Sequence, residues 1–185
     1  MSANDKNRAV FLDRDKTVIE DPGYINDPDL IHLLPRAGEA VKMLNAAGYL
    51  VVIVTNQSGV ARGLVTEDRL TEIHQRLRDE LGARGAKVDA IYYCPFHPEG
   101  VIEEYTRVSE MRKPQPGMLL QAAGEMNIDL TQSWMIGDSA IDVEAGQRAG
   151  CRTIRLAPSE EALEEPKADM VAPDLYAAAM LVLKQ

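Results

Sequence analysis

Residues 49–56 read YLVVIVTN: five consecutive apolar residues, Leu50 to Val54, mostly β-branched, ending on a polar pair. So short and so uniform a run reads as a buried strand. Four more strand-like runs surround it: RAVFLD (8–13), VDAIYYCP (88–95), SWMIGDS (133–139) and CRTIRLA (151–157). Segments with helical spacing lie between them. Residues 36–49 end in a helix-stopping AAG, and residues 66–85 open on Thr66 as a candidate N-cap. Residues 116–127 begin with Pro116 as a candidate N1 residue, and residues 140–150 end in glycine. Strand and helix in repeated alternation predict a Rossmann-like three-layer α/β/α fold on a mainly parallel sheet. The 185 residues suit one domain spanning 1–185. The stretch PSEEALEEPKAD (158–169) is expected to be a solvated acidic loop or short helix, and LYAAAMLVL a packing helix.

Composition narrows the function. The net charge of -9 argues against a nucleic-acid partner, which needs a basic face. No apolar run approaches the 18 or so residues of a membrane span, so no membrane partner is expected. The two cysteines, Cys94 and Cys151, make no disulfide framework. The polar N-terminus lacks an apolar signal region, so both read as reduced thiols of a cytoplasmic protein.

Ligands of such sheets sit beyond the carboxyl ends of strands, so the residues after each run matter most. FLDRDKT places Asp13 and Asp15 past the first strand. Paired carboxylates there suit a divalent cation, or a nucleophile with a general acid/base; a polar turn with a capping aspartate is the alternative. VIVTNQSG supplies Thr55, Asn56, Gln57 and Ser58 at a turn whose hydroxyls and N–H groups suit phosphate oxygens; an ordinary polar turn does so equally. MRKPQPG sets Arg112 and Lys113 before a helix, as an anion site or a solvated basic pair. MIGDSAID brings Asp138 to where it could meet Asp13, with Asp142 one helical turn on as support.

Asp-x-Asp-x-Thr, Thr/Ser, Lys and Asp in this order at successive strand ends resemble the haloacid dehalogenase superfamily of phosphotransferases. Within it, VTNQSGVARG, IYYCP and RKPQPGM resemble the D-glycero-D-manno-heptose 1,7-bisphosphate phosphatases and the related histidinol-phosphate phosphatases. The resemblance runs from about residue 9 to 151. It implies a Mg²⁺-dependent hydrolase of a small sugar phosphate, monomeric, serving lipopolysaccharide or S-layer sugar synthesis. Removal of the 7-phosphate of the heptose bisphosphate is the first expectation. Histidinol phosphate, a broader range of sugar phosphates, and a sugar-phosphate-binding pseudoenzyme are the alternatives.

The resemblance also implies roles. Asp13 is the nucleophile, Asp15 the general acid/base, and Thr55 and Lys113 hold the transferring phosphoryl group. Mg²⁺ is held by Asp13, the backbone carbonyl of Asp15, and Asp138. Asp21, Pro22, Gly23 and Tyr24 form one substrate loop; Asn56, Gln57 and Ser58 form a second; Arg112 reads the rest of the substrate, with Arg62 beside it as a candidate. The chain is too short for a large cap domain, so segments near 19–34, 58–65 and 94–111 are left to shape the pocket.

Three departures from the family stand out. Lys16 replaces a glycine, which implies a strained turn, an extra ammonium at the phosphate site, or both. Ser139 stands where relatives often carry lysine. The family's structural zinc loop keeps Cys94, with His97 as a spare, but has Ser109 and Met111 where two cysteines stand. Two ligands do not make a tetrahedral zinc site, so zinc is not expected. The loop is expected to hold by packing of Pro95, Phe96, Pro98, Val101, Ile102, Tyr105 and Met111.

Overall fold

The computed structural model describes residues 6–158 and 166–185. Its elements run β1 (Ala9–Leu12), α1 (Ala37–Ala46), β2 (Leu50–Asn56), α2 (Glu67–Gly82), β3 (Ala90–Cys94), α3 (Gly117–Glu125), β4 (Trp134–Gly137), α4 (Ala140–Ala149), β5 (Arg152–Leu156), β6 (Met170–Ala172) and α5 (Leu175–Val182). The six strands form one sheet in the order β3-β2-β1-β4-β5-β6, every described pairing parallel. The expected α/β/α fold is therefore present, and more uniformly parallel than the alternation alone requires.

Side-chain parity along the strands builds two cores. Val10, Leu12, Val51, Ile53, Trp134 and Ile136 face one way, under α1, α2 and α5. Ala9, Phe11, Val52, Val54 and Met135 face the other, under α3 and α4. Strands covered on both faces need no polar alternation, which is why Leu50 to Val54 are apolar without a break. β6 is three residues long and gives too short a signal to be read from sequence. Thr66 caps α2, its hydroxyl accepting from Arg69 N at 3.2 Å.

One boundary differs from expectation. Pro116 is the cap of α3 rather than its first turn. Gly117 opens the helix, and its N–H donates to Glu110 O at 2.9 Å. A Cβ at 117 would lie 2.3 Å from that carbonyl, so only glycine allows the approach. The PSEEALEEPKAD expectation falls largely on residues 159–165, outside the described residues.

The strand order reverses between β1 and β4, and a crevice opens at the carboxyl ends there. Leu12 pairs with Ile53 on one side and Ile136 on the other. Asp13 and Asp138 follow and leave the sheet at the edge where Thr55 nears the end of β2.

Candidate active site

Asp13 is nearly buried, and Asp13 N donates to Ile136 O at 3.0 Å, which fixes it against β4. Lys113 reaches it from the segment before α3. Its ammonium lies 2.5 Å from Asp13 Oδ1, 2.7 Å from Asp142 Oδ1 and 2.8 Å from Val54 O, and its side chain is 1% exposed. Asn56 clamps the Lys113 backbone: Asn56 Nδ2 donates to Lys113 O and Lys113 N to Asn56 Oδ1, both at 3.0 Å. Asp142 Oδ2 in turn accepts from Ser139 N at 3.0 Å and Ser139 Oγ at 2.5 Å. Gly137 makes room for this, since a Cβ there would fall 2.4 Å from Asp142 Cγ.

The charges do not balance. Asp13, Asp138 and Asp142 bring carboxylate oxygens within 4.8 Å of one another, the one such acidic or metal-ligating cluster among the described residues. The buried Lys113 ammonium pairs with two of them, Asp13 and Asp142. Burial pushes the Asp13 carboxyl up to about 7, Asp142 and Asp15 adding to the effect while Lys113 opposes it. Burial and Asp142 raise Asp138 as well. Burial disfavours the Lys113 charge, yet Asp13 and Asp142 outweigh it and hold the ammonium above its ordinary value. Lys113 thus stays charged in a pocket short of positive charge. A hard cation with oxygen ligands fits that deficit. Asp142 is already engaged by Lys113 and Ser139, so Asp13 and Asp138 are the side chains left to face it.

Asp15 is held from two sides. Arg14 Nε and Nη2 donate to Asp15 Oδ1 at 3.1 and 3.0 Å. Gln57 Nε2 donates to Asp15 Oδ2 at 3.1 Å and to Thr55 Oγ1 at 2.9 Å. Lys16 adopts φ 58, the left-handed region where a side chain costs roughly 1–2 kcal/mol. Its ammonium lies 3.5 Å from Asp21 and faces the crevice, where it opposes the upward shift of Asp138. Strain and added charge both apply at this position.

Two adjoining cavities collect the residues. One, of about 190 Å³, is lined by Asp13, Asp15, Lys16, Asp21, Thr55, Asn56, Lys113 and Asp138 among others. The other, of about 230 Å³, is lined by Arg14, Asp15, Asp21, Gly23, Tyr24, Gln57 and Ser58, with Asn56, Ile25, Gly59 and Val65. Pro22 and Arg112 line neither. Arg112 is half-buried, with Nη1 donating to Phe96 O at 3.4 Å. Burial and the nearby Arg62 charge lower its pKa. Arg62 Nε is itself buried without a hydrogen-bond partner.

The 94–111 segment is held only in part as expected. Phe96 and Met111 join the core under α3 and α4, Tyr105 packs on the other, and Val101 is 76% exposed. The Phe96 and Tyr105 rings still meet, with centroids 6.2 Å apart. Polar contacts add to the packing: Val101 N and Ile102 N both donate to Ala61 O at 2.8 and 3.0 Å, and Tyr105 OH donates to Glu67 at 2.7 Å. Cys94 is buried at the end of β3, and burial raises its thiol pKa. His97 Nδ1 accepts from Glu99 N at 3.0 Å.

Sequence reasoning missed Arg14 and His74. Arg14 stands between the two carboxylates in DRD, a signal that was available. His74 is a polar residue on the apolar face of α2, and that position was the signal.

The HAD-hydrolase-like family model matches residues 110–178. The D-glycero-beta-D-manno-heptose-1,7-bisphosphate 7-phosphatase of Rhodopseudomonas palustris is 45% identical over 142 residues, 77% of this chain and 79% of that protein. The enzyme of the same name from Salmonella typhi is 38% identical over 180 residues, 96% of each chain. The crystal structure of D,D-heptose 1,7-bisphosphate phosphatase from B. bronchiseptica, complexed with magnesium and phosphate, aligns with a TM-score of 0.83 at 33% identity. That alignment covers 96% of this chain and 98% of the other. No helix among the described residues is long and apolar enough to cross a membrane. Identity along most of the chain, on a fold whose strand ends gather the same carboxylates and lysine the sequence pointed to, means that the chain belongs to the heptose bisphosphate phosphatase family of the haloacid dehalogenase-like hydrolases.

Proposed function

We propose that this phosphatase removes the 7-phosphate of D-glycero-D-manno-heptose 1,7-bisphosphate through a phosphoaspartate on Asp13, with Mg²⁺ bound. The observation that carries it is the crowding of the Asp13, Asp138 and Asp142 carboxylates within 4.8 Å, with one buried ammonium pairing Asp13 and Asp142. The names of the relatives support the substrate, and the magnesium and phosphate of the B. bronchiseptica structure support the cofactor.

Asp13, Asp138 and the backbone carbonyl of Asp15 would hold the ion. When bound, Mg²⁺ supplies positive charge against the phosphate dianion; a carboxylate and one phosphate charge about 4 Å apart repel by roughly 4 kcal/mol at an effective dielectric of 20. An Asp13 oxygen forms a bond to phosphorus as the bond from phosphorus to the sugar oxygen breaks. The protonated Asp15 carboxyl gives its proton to that leaving oxygen. Water then attacks phosphorus, its proton goes to Asp15, and the bond to Asp13 breaks, releasing phosphate. Lys113 and Thr55 keep the phosphoryl oxygens in place throughout. Asp21, Gly23, Tyr24, Gln57 and Ser58 line the neighbouring space for the sugar. Arg112 and Arg62 lie beyond it and offer charge to the far phosphate.

The test is phosphate release with Mg²⁺ from both anomers of the heptose bisphosphate and from histidinol phosphate. The heptose compound is expected to give the higher kcat/KM; a large preference for histidinol phosphate overturns the substrate assignment.

The ion makes a separate prediction. Burial and Asp142 both disfavour the Asp138 charge, so Asp138→Asn relieves repulsion. The metal-free variant is expected to be more stable than the metal-free wild type at pH 8, by about 1 kcal/mol after solvent screening. Mg²⁺ is expected to raise the melting temperature of the wild type and not that of the variant. An equal Mg²⁺ response in both removes Asp138 from the metal site.

A further inference from the structure

The apolar face of α2 is built from Leu70, Ile73, Leu77 and Leu81, all fully buried. One polar residue interrupts it. His74 is 7% exposed, and its Nε2 lies 3.3 Å from Arg14 Nη1. Its ring also sits 5.6 Å from that of Tyr93 on β3. Nothing in the phosphoryl-transfer chemistry uses this histidine.

Arg14 explains its presence. The Arg14 side chain is 2% exposed, and a buried guanidinium must satisfy its fork of donors. Nε and Nη2 are both spent on one atom, Asp15 Oδ1. Nη1 turns the other way and needs an acceptor, and His74 Nε2 is the one it has. For Nε2 to accept, the ring must be neutral with its proton on Nδ1. Burial, with the Arg14 and Arg78 charges adding, lowers the His74 pKa to about 3, so it stays neutral.

The consequence falls on Asp15. The Arg14 fork holds Oδ1 and Gln57 holds Oδ2 on the side of Thr55, so the rotation of the carboxyl group is set from two sides. The geometry points to His74 as a positioning residue: by anchoring Arg14 it fixes the orientation in which Asp15 faces the leaving group. The inference rests on Asp15 acting as general acid in the reaction proposed above.

Leaving-group chemistry separates this role from a merely structural one. A sugar oxygen departs poorly without a proton, whereas p-nitrophenolate departs as a stable anion and needs none. The test measures kcat/KM with Mg²⁺ for heptose 1,7-bisphosphate and for p-nitrophenyl phosphate in the wild type, His74→Leu, His74→Gln and His74→Asn. Leucine continues the apolar stripe and removes the acceptor. It is expected to lower kcat/KM for the sugar phosphate by about 10- to 100-fold, part of what general acid catalysis contributes, and for the aryl phosphate by less than about 2-fold. Glutamine reaches as far as Nε2 and restores sugar phosphate turnover to within about 3-fold of wild type, while the shorter asparagine does not. If His74→Leu fails to fold, the contrast between glutamine and asparagine carries the test. Equal losses on both substrates, or glutamine no better than asparagine, overturn the positioning role. A wild type that releases phosphate from neither compound overturns the phosphatase reading instead, and the inference with it.

Discussion

Asp13→Asn is expected to reduce phosphate release from every substrate by at least about 10⁴-fold, as loss of a covalent nucleophile does elsewhere. The fold should be indifferent. Asparagine is nearly isosteric, its Oδ1 can still accept from Lys113, and Lys113 keeps Asp142 as a partner. The variant also removes a carboxylate whose pKa burial has already pushed up to about 7, so the charge lost was a costly one. Thermal stability at pH 8 is therefore expected to stay within about 1 kcal/mol of wild type. A melting curve beside the activity assay checks both halves. Residual activity above about one per cent would leave Asp13 as a metal ligand only and move the nucleophile elsewhere.

Lys113→Met is expected to damage both activity and stability. Methionine fills the volume but leaves Asp13 and Asp142 facing each other without the ammonium. Breaking a buried pair by removing one partner costs roughly 3–5 kcal/mol. For a chain of this size that is a fall in melting temperature of roughly 10 °C. Mg²⁺ should return part of that stability, because it too offsets the crowded carboxylates. It should not return activity, which is expected to fall by about 10²–10³-fold, the cost of one missing donor to the transferring group. Mg²⁺ that restores turnover as well as stability would show that Lys113 only balances charge within the protein. Phosphate release and melting temperature, each with and without Mg²⁺, separate the two cases.

The sequence carried much of the fold because burial leaves local marks. Leu50 to Val54 are apolar without a break since α1 and α2 cover one side of β2 and α3 the other, and Thr66 and Gly150 mark helix ends where a cap is needed. It carried less where a signal was short or a neighbour distant. β6 spans three residues. Pro116 looked like a first-turn proline until the Glu110 carbonyl, against Gly117, showed where the helix starts. The apolar residues of 94–111 promised a cluster of their own; Phe96 and Tyr105 do meet, but Phe96 also packs on one core and Tyr105 on the other, while Val101 stays exposed, because larger buried surfaces lay within reach of some and not of others.

The site divides in the same way. Asp13, Asp15, Thr55, Lys113 and Asp138 each follow or precede an apolar run, and in a parallel sheet strand ends lie on one edge, so their meeting was legible. What the sequence by itself determined was this set of groups and the edge they share. Only the tertiary structure decided their partners. Lys113 lies 100 residues from Asp13 and bonds to it, to Asp142 and to the Val54 carbonyl, with Asn56 clamping its backbone. His74 lies 60 residues from Arg14 and takes its remaining donor. The physical reason is that a residue's type and its neighbours along the chain set which charges exist. Which charge is buried against which, and how many cations the crowd of carboxylates lacks, depends on the packing of α2, α3 and α4 around the sheet.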